Sequence, residues 1–174
     1  MRMETYRRAG AYDGDVLFEN LELVRTLRAV GGRERNAPEI VVQRRPPSLR
    51  HYAAQRVRQA YDEFARPAHL LAQLSLLPAF VVSTKRFGPL SGSAWACAAM
   101  ALAEAGRRRA GGTRSFGPAA SVCAPIWVAE RAVTAWLALG LRVARGGVRY
   151  SNGTLRTAAH GERALRARHR RVVA

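Results

Sequence analysis

Residues 14–23 read GDVLFENLEL, which places Asp15 and Glu19 four apart, Asn20 next, and a third carboxylate at Glu22. A carboxylate whose surroundings keep its pKa suitable can act as a general base and take the proton of an acceptor hydroxyl. Glu19 is the candidate for that work, with Asn20 beside it. If a helix starts at this point, Asn20 is a suitable N-cap, its side-chain oxygen accepting from a first-turn backbone N–H. A second constellation is Gln55-Arg56-Val57-Arg58. Gln55 and Arg58 are three apart and so share a helix face. An amide beside a guanidinium suits phosphate, because arginine offers a planar fork of donors. Taken alone, each pattern also fits a solvated helix face. Cys97 and Cys123 lie in apolar runs with no metal-ligand spacing around them, and read as buried, inert thiols that imply no oxidising compartment.

The elements that must position these residues follow from periodicity. Leu17, Leu21, Leu23, Val24 and Leu27 fall within one arc at 3.6 residues per turn, with Glu22, Arg25 and Thr26 opposite. A helix over about 17–30 is predicted, closed by Gly31-Gly32. A short strand at 39–43 is halted by Pro46-Pro47. HYAAQRVRQAYDEFARP, residues 51–67, is a second helix ended by Pro67. Asp13-Gly14-Asp15 has the literal spacing of a metal-binding D-x-D but reads as a turn. In the tail, Asn152-Gly153 between VRY and TLR predicts a β-hairpin whose turn centres on those two residues.

Charge and hydropathy divide the chain into three zones. Net charge is +17, carried by arginine with Lys85 the single lysine. That skew fits a GC-rich coding bias more than selection for nucleic-acid contact. The tail after residue 140 offers Tyr150 as its one aromatic, which is no stacking platform for single strands, so nucleic acid is not an expected partner. Residues 68–84 and 87–103 contain no Asp, Glu, Lys or Arg; Lys85 and Arg86 separate them, and Glu104 and the cluster Arg107-Arg108-Arg109 follow. Runs of this length are at the short end of what crosses a bilayer, roughly 20 residues, and they predict a membrane hairpin with the arginine cluster on the cytoplasmic side. A third apolar stretch, 115–141, carries Glu130 and Arg131 at its middle, which is costly in lipid. It is expected to lie in the interface, with Trp127 and Trp136 at headgroup level and the basic tail facing the cytoplasm.

The order of these features resembles the C-terminal half of membrane-bound family 2 glycosyltransferases, closest to the ceramide glucosyltransferase-like branch. RRAGAYDGDVLFENLELVRTLRAVGGRE resembles the stretch carrying that family's acidic base motif, usually Glu-Asp, and the helix after it. QRVRQAY resembles its Q-x-x-R-W signature, with Gln59 where Trp is common, and GGVRYSNGTLRTA resembles the basic segment after its membrane helices. The resemblance implies a GT-A, Rossmann-like α/β domain that binds a nucleotide-sugar and a divalent metal such as Mg or Mn, and inverting transfer to a lipid or glycan acceptor. It puts Glu19 and Asn20 at the base motif, and Gln55 and Arg58 near the diphosphate and acceptor.

The fold class expected is therefore mainly α. Residues 1–66 are a truncated C-terminal remnant of a GT-A α/β domain, 67–141 are hydrophobic membrane or interfacial helices, and 142–174 are a basic cytoplasmic tail with a short β-hairpin. No residue here is expected to bind metal, and no strand–loop–helix nucleotide site is present. The chain is thus expected to begin inside its own domain, to be inactive alone, and to need a partner chain or further sequence for the missing half. Membrane lipids are its expected partners. The alternative is a non-catalytic basic protein held on anionic membranes by its tail.

Overall fold

The computed structural model describes residues 3–9, 15–35, 37, 40, 42, 45, 47–109, 111–150 and 153–173. The predicted strand at 39–43 and the Asp13-Gly14 half of the D-x-D spacing lie largely outside the described residues. Eight α-helices are described: α1 Met3–Arg8, α2 Glu19–Ala29, α3 Leu49–Tyr61, α4 Pro67–Phe87, α5 Leu90–Arg108, α6 Ala119–Val122, α7 Ala124–Arg145 and α8 Glu162–Val173. One antiparallel pair, β1 Val148–Tyr150 with β2 Gly153–Leu155, is the sheet among the described residues. The architecture is mainly helical, as expected.

Local chemistry sets the breaks. At the end of α2, Gly31 takes φ +84°, its N–H donates to the Arg28 carbonyl at 3.1 Å, and the Gly32 N–H donates to that of Leu27 at 2.8 Å. This is the Schellman pattern, and it satisfies two otherwise orphaned carbonyls. A Cβ on Gly32 would lie 2.7 Å from the Leu27 oxygen, so both glycines are needed. The predicted 51–67 helix divides in two. α3 ends at Tyr61, a 3-10 turn covers Asp62–Ala65, and Pro67 opens α4, where its missing N–H costs nothing.

The chain forms two compact units. The first holds Met1–Asn36, Arg58–Pro67 and Ala138–Ala174; the second holds Ala37–Val57 and Ala68–Leu137. The first unit is centred on Tyr61, fully buried among Ala60, Ala65, Ala138, Val148 and Ala158, with Leu17, Leu21 and Phe64 packed against them. The Tyr61 hydroxyl donates to the Arg156 carbonyl at 2.9 Å, and Arg142 donates back to that hydroxyl at 2.7 Å. The hairpin is present with a different register from the prediction. Tyr150 faces Gly153 and Val148 faces Leu155, so Gly153 belongs to β2. Gly153 does not take a positive φ. The Asn152 half of the predicted turn lies outside the described residues.

In the second unit, the Trp95 indole donates to Ser83 Oγ at 3.0 Å and the Ser91 hydroxyl to Thr84 Oγ1 at 3.2 Å, tying α5 to α4. The Trp136 indole donates to the Leu74 carbonyl at 3.2 Å, tying α7 to α4. An apolar cavity of about 250 Å³ lies among these helices, walled by Phe80, Trp95 and Val128. Among the described residues, α4 is the one helix long and apolar enough to cross a membrane, and only 6% of its best window is buried. Residues 90–103 of the second apolar run fall in α5, whose Ala, Gly and Ser content makes it less apolar than α4. Cys97 and Cys123 are exposed, contrary to the expectation of burial, because the apolar runs that contain them face outward.

Candidate functional site

Glu19 opens α2 in the first unit, and the turn before it is held by the tail. The Leu17 N–H donates to the Thr157 carbonyl at 3.0 Å, the Phe18 N–H to that of Ala158 at 2.8 Å, and Val16 forms a parallel bridge with Thr157. Val16 is fully buried, while Glu19 and Asn20 are exposed on the first turn. The N-cap position is Phe18, with no side-chain capping bond, so the expected Asn20 cap is not formed. Asn20 sits inside the helix because the 157–158 backbone already satisfies the N–H groups just before it.

The buried carboxylate of this turn is Glu22, which the apolar arc had placed on the open face. Its side chain is 0% exposed. The His160 backbone N–H donates to Glu22 Oε2 at 2.7 Å, and His160 Nδ1 lies 2.8 Å from Oε1. Arg25, one turn on, donates to the His160 carbonyl at 2.8 Å and to the Ala65 carbonyl at 2.7 Å. A carboxylate taken from water this completely needs such partners. Glu22→Ala leaves the His160 N–H without its acceptor inside the fold. We expect the substitution to cost about 2–3 kcal/mol. It is read as a lower Tm in detergent, with faster amide exchange at Leu17, Phe18 and His160.

The Gln55 and Arg58 pair is on one helix as predicted, but α3 passes from the second unit to the first between them, so neither unit holds both. Gln55 Nε2 is 2.7 Å from His51 Nε2 on the preceding turn. Between the two, Arg56 was missed by the motif and is the better anchored. It pairs with Glu130, its guanidinium stacks 5.3 Å from the Tyr52 ring centre, and that carboxylate pushes its pKa further up. The one available sequence signal was the awkward acid at the centre of an apolar stretch, which demanded a cation from elsewhere.

A third polar cluster lies at the end of α5. Glu104 accepts from Arg107 Nε and Nη2, both at 2.8 Å, from Arg108 Nε at 2.6 Å, and from Ser121 Oγ at 2.8 Å. The Arg107, Arg108 and Ser121 hydrogen bonds hold its carboxyl well below the usual range. Among the described residues no group of three His, Cys, Asp or Glu could hold a metal ion. No family model matches the sequence, and no curated protein or solved structure matches the chain.

Proposed function

We propose that the chain is the membrane-bound part of an inverting, family 2-like glycosyltransferase, which moves a sugar from a nucleotide-sugar to a lipid or glycan acceptor. The observation that carries the reading is α4. It follows directly on the polar helix bearing Gln55 and Arg58, and its apolar surface is almost wholly unburied within the fold. Uncovered apolar surface of that extent calls for lipid or a partner.

In this reading Glu19 takes the acceptor hydroxyl's proton as the acceptor oxygen bonds to the anomeric carbon. The bond to the diphosphate breaks with its electron pair, which inverts the centre. Gln55 and Arg58 serve diphosphate and acceptor. The donor and its divalent metal require a nucleotide-binding unit, which the described residues do not form; in this reading a partner supplies it and the chain alone does not transfer sugar. In this reading α4 and α5 enter the bilayer together as a hairpin, which leaves the catalytic turn and the basic tail on one side, facing the cytoplasm; the hydrogen bonds of Leu17 and Phe18 to Thr157 and Ala158 require that they share a side.

The test is extraction. Membranes carrying the chain are washed with concentrated salt, then alkaline carbonate, then neutral detergent. Release only by detergent is expected. Release by salt overturns the membrane-embedded reading and favours the non-catalytic basic protein held by surface charge, because salt screens such attraction.

A further inference from the structure

A cavity at the end of α5 has no part in the chemistry above. It measures about 390 Å³ and is walled by Gly106, Arg107, Arg109, Gly112, Phe116 and Ser121. The two oxygens of Glu104 are taken up by Arg107, Arg108 and Ser121. Arg107 is thereby fixed, with its Nη1 also donating to the Phe116 carbonyl at 3.1 Å. Arg109 lines the same cavity, and among the described residues no carboxylate pairs with it. The cavity is therefore left with excess positive charge.

Two glycines shape it. Gly112 brings the next turn close against α5, where a Cβ would lie 2.5 Å from the Arg107 carbonyl oxygen. Gly106 has nothing within 4 Å of its missing Cβ, so its place in the wall is open space. The exposed ring of Phe116 and the methyl groups of Ala103 and Ala120 also line the cavity. Positive charge beside an apolar lining is complementary to a phosphate that carries acyl chains.

We infer that this cavity binds the phosphate of an anionic phospholipid, with Arg109 as its main charge contact and Arg107, held by Glu104, as a fixed second donor. The inference rests on the membrane-embedded reading.

The chain is purified in neutral detergent and offered equal phosphatidylglycerol and phosphatidylcholine, and retained lipid is read by native mass spectrometry. Phosphatidylglycerol is expected to be retained about tenfold over phosphatidylcholine, the size of one charge-assisted hydrogen bond. Arg109→Gln should abolish that preference. Gly106→Leu should also abolish it, because it fills the cavity, leaves every charge in place and favours the helix. Arg163→Gln, an exposed tail arginine, should leave the preference unchanged. Equal retention of both lipids, or an unchanged preference in Gly106→Leu, overturns the site. Displacement of phosphatidylglycerol by excess inorganic phosphate assigns the cavity to a free anion and overturns the lipid assignment. A chain that needs detergent for extraction yet shows no preference defeats this inference alone, whereas release by salt defeats the membrane reading itself.

Discussion

Glu19→Gln is expected to lower sugar transfer in native membranes by about 10²–10⁴-fold, the range by which a positioned general base contributes. The expectation is clean because of where Glu19 sits. It is exposed on the first turn of α2 and carries no capping bond. Exchanging it for an isosteric amide therefore leaves the fold's stability within about half a kcal/mol. The backbone beneath it is fixed independently, by the Thr157 and Ala158 carbonyls. A fall in transfer with unchanged Tm and membrane retention thus reports proton transfer. Under the proposed function, Asn20→Asp, which turns the pair into Glu-Asp, should leave transfer intact or raise it. Transfer that survives Glu19→Gln removes Glu19 from the reaction.

The neighbouring carboxylate makes the contrast. Glu22 is buried and bonded twice to His160, 138 residues further along the chain. A change at Glu22 disturbs the packing of the turn as well as any chemistry, so its effect on transfer would not isolate a base. Local periodicity could not have shown this. Leu17 and Leu21 do pack on the first unit's core as the apolar arc required. However, the opposite face of α2 is covered by α8, and Glu22 becomes buried because a distant backbone N–H and imidazole satisfy it. A one-dimensional pattern records apolar faces and is blind to polar ones that are paired from afar.

The same limit explains the other differences. Gly31-Gly32 and Pro67 were legible because each acts on its own backbone. The place of Gly153 in β2 was not legible. Asn-Gly strongly favours a two-residue turn, yet register is also fixed by which face is buried. Val148 enters the core and pairs with Leu155, and that register draws Gly153 into β2 opposite Tyr150. Arg56 was passed over for its neighbours because its partner Glu130 lies 74 residues away. Glu130 within an apolar stretch is now explicable: it pairs with Arg56 inside the second unit.

Leu77→Arg is expected to convert a chain that only detergent extracts into one that carbonate releases. Leu77 lies midway along α4, which spans Pro67–Phe87. An arginine at the centre of a membrane helix costs about 2.5–3.5 kcal/mol on the insertion scale. The helix has little to spare, because the mean hydropathy of its best window is 1.3 and Pro78 interrupts its backbone ladder. In a protein surrounded by water the same substitution would be mild. Leu77 is 39% exposed, its new charge would reach solvent along a flexible stem, and the change would cost less than about 1 kcal/mol. The two solvents thus predict opposite results from one side chain. Leu77→Phe at the same position keeps the helix apolar and should remain detergent-dependent, so release by Leu77→Arg would follow from charge and not from altered packing. If Leu77→Arg is retained through carbonate exactly as the unsubstituted chain is, α4 does not cross the bilayer, and its exposed face must be covered by protein.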